Sequence, residues 1–128
     1  MTPRLLVTRP ADEWERTAEA VREAGFEPVA APLFTVSPRP WALPTVDPDA
    51  LLLTSPRAAP ALAAHREALF GLPVFCVGAR TAESARAAGF APLLVGDSDG
   101  AAVVRQAVEL GCRDILHPGG VDRIELKA

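Results

Sequence analysis

The chain has 128 residues, 49% of them hydrophobic and 23% charged, with a formal net charge of −3. A globular balance of this kind excludes intrinsic disorder, and the negative sign argues against a general phosphate-backbone binder, which carries a basic stripe. The longest apolar runs, such as Ala50–Leu53 and Val74–Val77, are far too short to cross a bilayer, and Met1-Thr2-Pro3-Arg4 lacks the apolar core of a signal peptide, so the reading is a cytoplasmic chain.

The elements follow a repeated order of strand, turn, helix, glycine and strand. Leu5-Leu6-Val7 reads as a short strand covered on both faces. A helix follows Pro10, with Asp12 and Glu15 fitting a variant capping box and Trp14, Ala18, Val21 and Ala24 forming one apolar stripe. Gly25 stops that helix, and Glu27–Ala31 is the next strand. Phe34–Asp49 contains Pro38, Pro40, Pro44 and Pro48, which forbid a helix and favour a stiff extended segment, with Trp41 in its middle expected to dock on the protein. Regular units resume beyond it. Strands are expected at Ala50–Leu53, Pro73–Val77, Leu93–Val95 and Asp114–His117, and helices at Pro56–Arg66, Arg80–Ala88 and Gly100–Leu110. The joint Ala24-Gly25-Phe26 is echoed by Ala88-Gly89-Phe90, and Leu110-Gly111-Cys112 is a third helix stop.

Alternation of strands and helices predicts an α/β fold, a parallel sheet with helices on both faces. The domain organisation expected is a strand-helix-strand start of domain one at 1–33, a proline-rich crossing at 34–48, domain two at 49–120, and the start of a return segment at 121–128. Cys76 lies in an apolar run and reads as core. With two cysteines and two histidines, neither a disulfide framework nor a closed metal site is expected.

In an open parallel sheet ligands bind at the carboxyl ends of the strands. Those ends carry Thr8-Arg9-Pro10, Thr54-Ser55-Pro56-Arg57, Gly78-Ala79-Arg80-Thr81, Gly96-Asp97-Ser98-Asp99-Gly100 and Pro118-Gly119-Gly120. The opposite ends are plainer joints. Ser55 reads as an N-cap with Pro56 at the first helical position, and Thr81 and Ser98 lie near helix starts. Free N–H groups and the helix dipole there, with Arg9, Arg57 and Arg80 nearby, make an edge suited to an anionic ligand, although hydroxyls at helix starts commonly serve only as caps. His117 at a strand end is either an acid–base group or a residue that fills its site; the sequence leaves both open.

Taken in order, Leu5-Leu6-Val7-Thr8-Arg9-Pro10, Ala31-Pro32-Leu33, Leu53-Thr54-Ser55-Pro56-Arg57-Ala58, Val77-Gly78-Ala79-Arg80-Thr81-Ala82, Ala88-Gly89-Phe90 and Leu116-His117-Pro118-Gly119-Gly120 resemble the uroporphyrinogen-III synthase family. The resemblance implies a lyase without cofactor or metal, acting in tetrapyrrole (haem, sirohaem, cobalamin) biosynthesis. Its substrate would be hydroxymethylbilane, closed into a ring with inversion of the last pyrrole and loss of water. That substrate bears eight carboxylates, which suits the edge just described. Arg9, Thr54, Ser55, Arg57, Gly78, Arg80, Thr81, Ser98 and Gly119 are the expected substrate-binding residues, and no catalytic residue is assigned. Neither nucleic acid nor membrane is an expected partner, and a full-length member is expected to be monomeric.

Members of the family are about twice as long, with two α/β domains, the chain crossing into the second and returning to complete the first. This chain stops shortly after Gly120 and contains no Tyr, where the family places a functionally important one. It is therefore expected to be incomplete and, by itself, weakly active or inactive. The alternatives are a non-catalytic relative that binds a tetrapyrrole or another anion, and a flavodoxin-like nucleotide or receiver module. The last would need a phosphate loop or acidic cluster after the first strand, and Thr8-Arg9-Pro10 is neither.

Overall fold

The computed structural model describes residues 1–97 and 99–120. The expected return segment at 121–128 lies outside the described residues. The chain divides into two compact units, Met1–Pro40 and the part from Trp41 onward.

The first unit contains β1 (Arg4–Val7), α1 (Ala11–Glu23) and β2 (Glu27–Ala30). The strands pair in parallel, with Arg4 opposite Glu27 and Val7 opposite Ala30. Ala18 and Val21 of α1 are buried, as is Val7. Two expectations for α1 need correction. Its N-cap is Pro10, with no side-chain cap bond, so Asp12 and Glu15 form no capping box. The proline sets the start, its carbonyl accepting from Glu13 N–H at 2.9 Å, while Asp12 and Glu13 sit in the first turn, where the helix dipole favours negative charge. Ala24 is exposed and ends the helix rather than extending its buried stripe.

The repeated glycine joints share one geometry. Gly25, Gly89 and Gly111 have φ between 89° and 95°. In each, the residue after the glycine donates to a carbonyl five residues back: Phe26 to Val21, Phe90 to Ala85, Cys112 to Ala107. The glycine itself donates to the carbonyl three back. This is the Schellman arrangement, which satisfies the last helical carbonyls and needs a residue tolerant of the left-handed region.

The second unit contains β3 (Ala50–Leu53), α2 (Ala58–Ala61), a 3-10 turn (Leu62–His65), α3 (Arg66–Leu69), β4 (Val74–Val77), α4 (Ala79–Ala87), β5 (Pro92–Gly96), α5 (Gly100–Glu109) and β6 (Ile115–Leu116). Its sheet has the order β5-β4-β3-β6, and all pairings are parallel. Successive β3 side chains go to opposite faces. Leu51 and Leu53 pack with Ala58, Leu62, Leu69, Ala82 and Ala85 from α2 through α4. Ala50 and Leu52 pack with Phe75 and with Val103 and Ala107 of α5. Helices therefore cover both faces, and the fold is α/β with parallel sheets.

The helix expected at 56–66 is broken into three short pieces. Pro60 sits inside α2, and His65 leaves the helical region at φ −125°, ψ 30°. Trp41 occupies the break: its indole N–H donates to Ala61 O at 2.9 Å, and its own carbonyl lies 2.8 Å from His65 Nε2. A carbonyl only accepts, so Nε2 carries the hydrogen. The two rings meet edge to face, centroids 4.3 Å apart.

Strand β6 is shorter than expected. At its amino end the Asp114 carbonyl accepts from Asp49 N–H at 2.9 Å, while the Asp49 carboxylate takes the N–H of Asp114 at 3.1 Å and that of Arg113 at 2.9 Å, one on each oxygen, in place of a backbone partner. This clasp fixes the amino end of β6 beside β3. Cys76 is fully buried, and burial pushes its thiol upward, against a smaller downward pull from Arg86. Burial likewise raises the Cys112 thiol, with Asp49 adding to the effect.

Gly96 ends β5 where α5 crosses the sheet, and a Cβ there would lie 2.6 Å from Cγ2 of Val103. Val103 is buried and β-branched, so it cannot yield by a rotamer change alone. Gly96→Ala is predicted to cost about 1–3 kcal/mol by overpacking. Gly71→Ala, where a Cβ meets nothing within 4 Å, is the control and should be neutral or slightly stabilising. Urea denaturation of both variants checks this; equal stabilities would contradict the packing assigned to Gly96.

Candidate functional site

Parallel pairing sends the carboxyl ends of β5, β4, β3 and β6 to one edge of the sheet. In spatial order that edge reads Asp97, Gly78, Thr54 and His117. The β3 loop lies between the β4 and β6 loops, so Thr54-Ser55 has Gly78 on one side and His117-Pro118-Gly119 on the other.

Thr54 is exposed, and its Oγ1 lies 3.0 Å from Nε2 of His117. Leu51 pairs with Leu116, so the imidazole reaches forward along the sheet to meet a residue beyond its own register partner. Ser55 is not the N-cap expected of it. Helix α2 starts at Ala58 after Arg57, and the Ser55 Oγ accepts from Arg57 N–H at 3.2 Å while its carbonyl accepts from Ala58 N–H at 3.0 Å. The hydroxyl thus tightens a turn before the helix. Pro56 has no N–H to offer that turn, and its carbonyl instead accepts from Ser84 Oγ of α4 at 2.5 Å. This bond ties the β3 loop to the helix that begins at the β4 loop.

Gly78 has φ +91°, a backbone conformation that favours glycine. Its N–H donates to Gly96 O at 2.7 Å and its carbonyl accepts from Ala82 N–H at 3.2 Å. It is the N-cap of α4, and no side chain caps that helix. Gly78 has no side chain with which to cap the first turn of α4, and the positive end of the helix dipole lies at this turn. Arg80 is half-buried in the same turn and forms no ion pair among the described residues. Helix α5 differs: Asp99 caps it, accepting from Ala102 N–H at 2.7 Å, so the protein's own carboxylate already occupies that N-terminus.

Thr54, Ser55, Gly78, Arg80 and Gly119 thus belong to three adjacent loops of one edge. Arg57 is half-buried at the start of α2. Thr81 differs from the rest, being only 3% exposed: the third residue of α4 turns inward beneath the Gly78 turn, and its hydroxyl is not presented to a ligand. Ser98 lies outside the described residues. Arg9 belongs to the first unit, at the carboxyl end of β1, where its guanidinium is 3.7 Å from Glu13 one helical turn on. Sequence reading alone missed the pairing of Thr54 with His117, which no local pattern announces, and the Asp99 cap, which a capping residue directly before an apolar helix does announce. Among the described residues no three His, Cys, Asp or Glu side chains are grouped to hold a metal ion.

Comparison with known protein families finds a match over most of the chain. The family model described as uroporphyrinogen-III synthase HemD matches residues 15–125. No curated protein matches the chain.

The Ser84–Pro56 bond gives a prediction. Ser84→Ala removes the donor to the β3 loop and should cost about 1 kcal/mol of stability. The loop should also loosen locally, so that amide exchange at Arg57 and Ala58 quickens more than in the β3 strand. If those amides exchange as in the parent, the tie does not hold the loop.

Proposed function

Since the chain belongs to the uroporphyrinogen-III synthase family, we propose that its carboxyl edge binds hydroxymethylbilane and serves the closure of that linear tetrapyrrole to uroporphyrinogen III. The observation that carries this reading is the family match across residues 15–125. The reaction expels the terminal hydroxyl as water and leaves an azafulvene-like cation. The last pyrrole attacks through its substituted carbon, and a spiro intermediate opens and recloses with that ring inverted. No cofactor is invoked.

The chemical task is mainly one of positioning, because spontaneous closure gives the uninverted isomer. Holding the bilane folded so that the substituted carbon meets the cation changes which bond forms. In this reading Thr54, Ser55, Arg57, Gly78, Arg80 and Gly119 contact substrate carboxylates, Arg9 and Ser98 add to them, and Thr81 supports the Gly78 turn from below. The amino end of α4 suits an anion electrostatically. We place the reaction in the cytoplasm, with the free thiols Cys76 and Cys112 in keeping with a reducing compartment. None of the described helices is long and apolar enough to cross a membrane.

Activity of this chain is expected to be weak. In the first unit Leu6 of β1 is 64% exposed and Leu33, beyond β2, is 76% exposed, and two strands under one helix make a small core. The test incubates fresh hydroxymethylbilane with increasing amounts of the protein, up to excess over substrate, and reads isomers by chromatography after oxidation. The fraction of isomer III should rise with the ratio of protein to substrate and stay near background at catalytic amounts. Isomer I alone at every ratio would contradict the proposal and favour a non-catalytic anion-binding role.

A further inference from the structure

The Thr54–His117 contact joins side chains 63 residues apart across two adjacent strand ends, on the edge and not in the core. A hydroxyl in that position could be satisfied by water. Pairing it with an imidazole couples the direction of the hydroxyl's own hydrogen to the tautomer of the ring. If Nε2 carries hydrogen, it donates to Oγ1, and the threonine O–H is released to point away from the sheet. If Nε2 is bare, the threonine donates to it and turns lone pairs outward, which repel a carboxylate. An anionic ligand over this edge selects the first arrangement, in which the two bonds run in one direction and polarise each other.

We infer that His117 and Thr54 form a carboxylate-binding pair, in which Thr54 makes the contact and His117 is the positioning residue that aims it. This rests on the reading that the carboxyl edge takes a polycarboxylate, and it assigns His117 a role the sequence left undecided. The surroundings agree. The next loop in spatial order presents the N-terminus of α4 with Arg80, while the described acidic residues of this edge, Asp97 and Asp99, lie one loop further on, with Asp99 engaged in capping α5. The competing role is a structural tie for β6. That strand is only Ile115–Leu116, yet the Asp49 carboxylate already holds its amino end through two backbone N–H groups.

Calorimetric titration of the whole chain separates the two roles. The probes are uroporphyrinogen III and benzenehexacarboxylate, a compact polyanion with no pyrrole. Thr54→Val and His117→Phe should each weaken binding on the order of tenfold, as expected for losing one hydrogen bond to a charged group. The double variant should bind no more weakly than either single one. Thr54→Ser keeps the hydroxyl, and His117→Gln keeps an N–H at similar reach; both should bind within about threefold of the parent, a rescue that a role in packing alone does not predict. If benzenehexacarboxylate shows this pattern and uroporphyrinogen III does not bind, the pair stands and the tetrapyrrole reading falls. Unchanged binding in His117→Phe, losses that add in the double variant, or a parent chain that binds neither probe would overturn the pair.

Discussion

Burial of β3 on both faces is the constraint on which the second unit depends. Leu51 and Leu53 are wholly buried against α2 through α4, and Ala50 and Leu52 against α5. A strand apolar on both sides has no face to give to water, so it takes a central place with β4 on one flank and β6 on the other. Each buried leucine contributes about 1.5–3 kcal/mol, enough to fix register firmly, because a slip of one residue would exchange the two sets of side chains.

That placement decides where chemistry can occur. Once β3 is central and every neighbour is parallel, all carboxyl ends share one edge and all amino ends the other. The amino edge is given to closure: Schellman joints at Gly89 and Gly111, and the Asp49 clasp on β6. The carboxyl edge holds the polar residues that closure does not consume. Its helix starts are not equivalent, since Asp99 fills the end of α5 while the end of α4 is left without a side-chain cap. The proposed anion site therefore lies at the β3 and β4 loops rather than along the whole edge.

Most of this was legible because it follows from local chemistry. The apolar run Ala50–Leu53 is a strand with the expected bounds, and the glycine joints stop three helices where they were read. What the sequence hid was set by distant partners. The helix expected at 56–66 is broken at His65, whose ring is held by the carbonyl of Trp41, a residue 24 positions away. Asp114 reads as strand but gives its N–H to Asp49. Thr81 and Ser55 were both read from their closeness to helix starts, and neither serves as expected: one is turned inward by helical phase, and the other bonds within a turn that Pro56 sets. At the site, residue types and loop positions were readable, while the Thr54–His117 pairing needed the strand order, which no periodicity reveals.

The central claim is that the carboxyl edge of the β5-β4-β3-β6 sheet is where a polycarboxylate binds. The most direct measurement is an amide chemical-shift map of the isotopically labelled chain titrated with uroporphyrinogen III. The account predicts the largest shifts at Thr54, Ser55, Gly78, Ala79 and His117, with little change at Gly71, Gly89 and Gly111 on the opposite edge. Shifts concentrated at those three glycines, with the Thr54 and Gly78 loops unmoved, would contradict it.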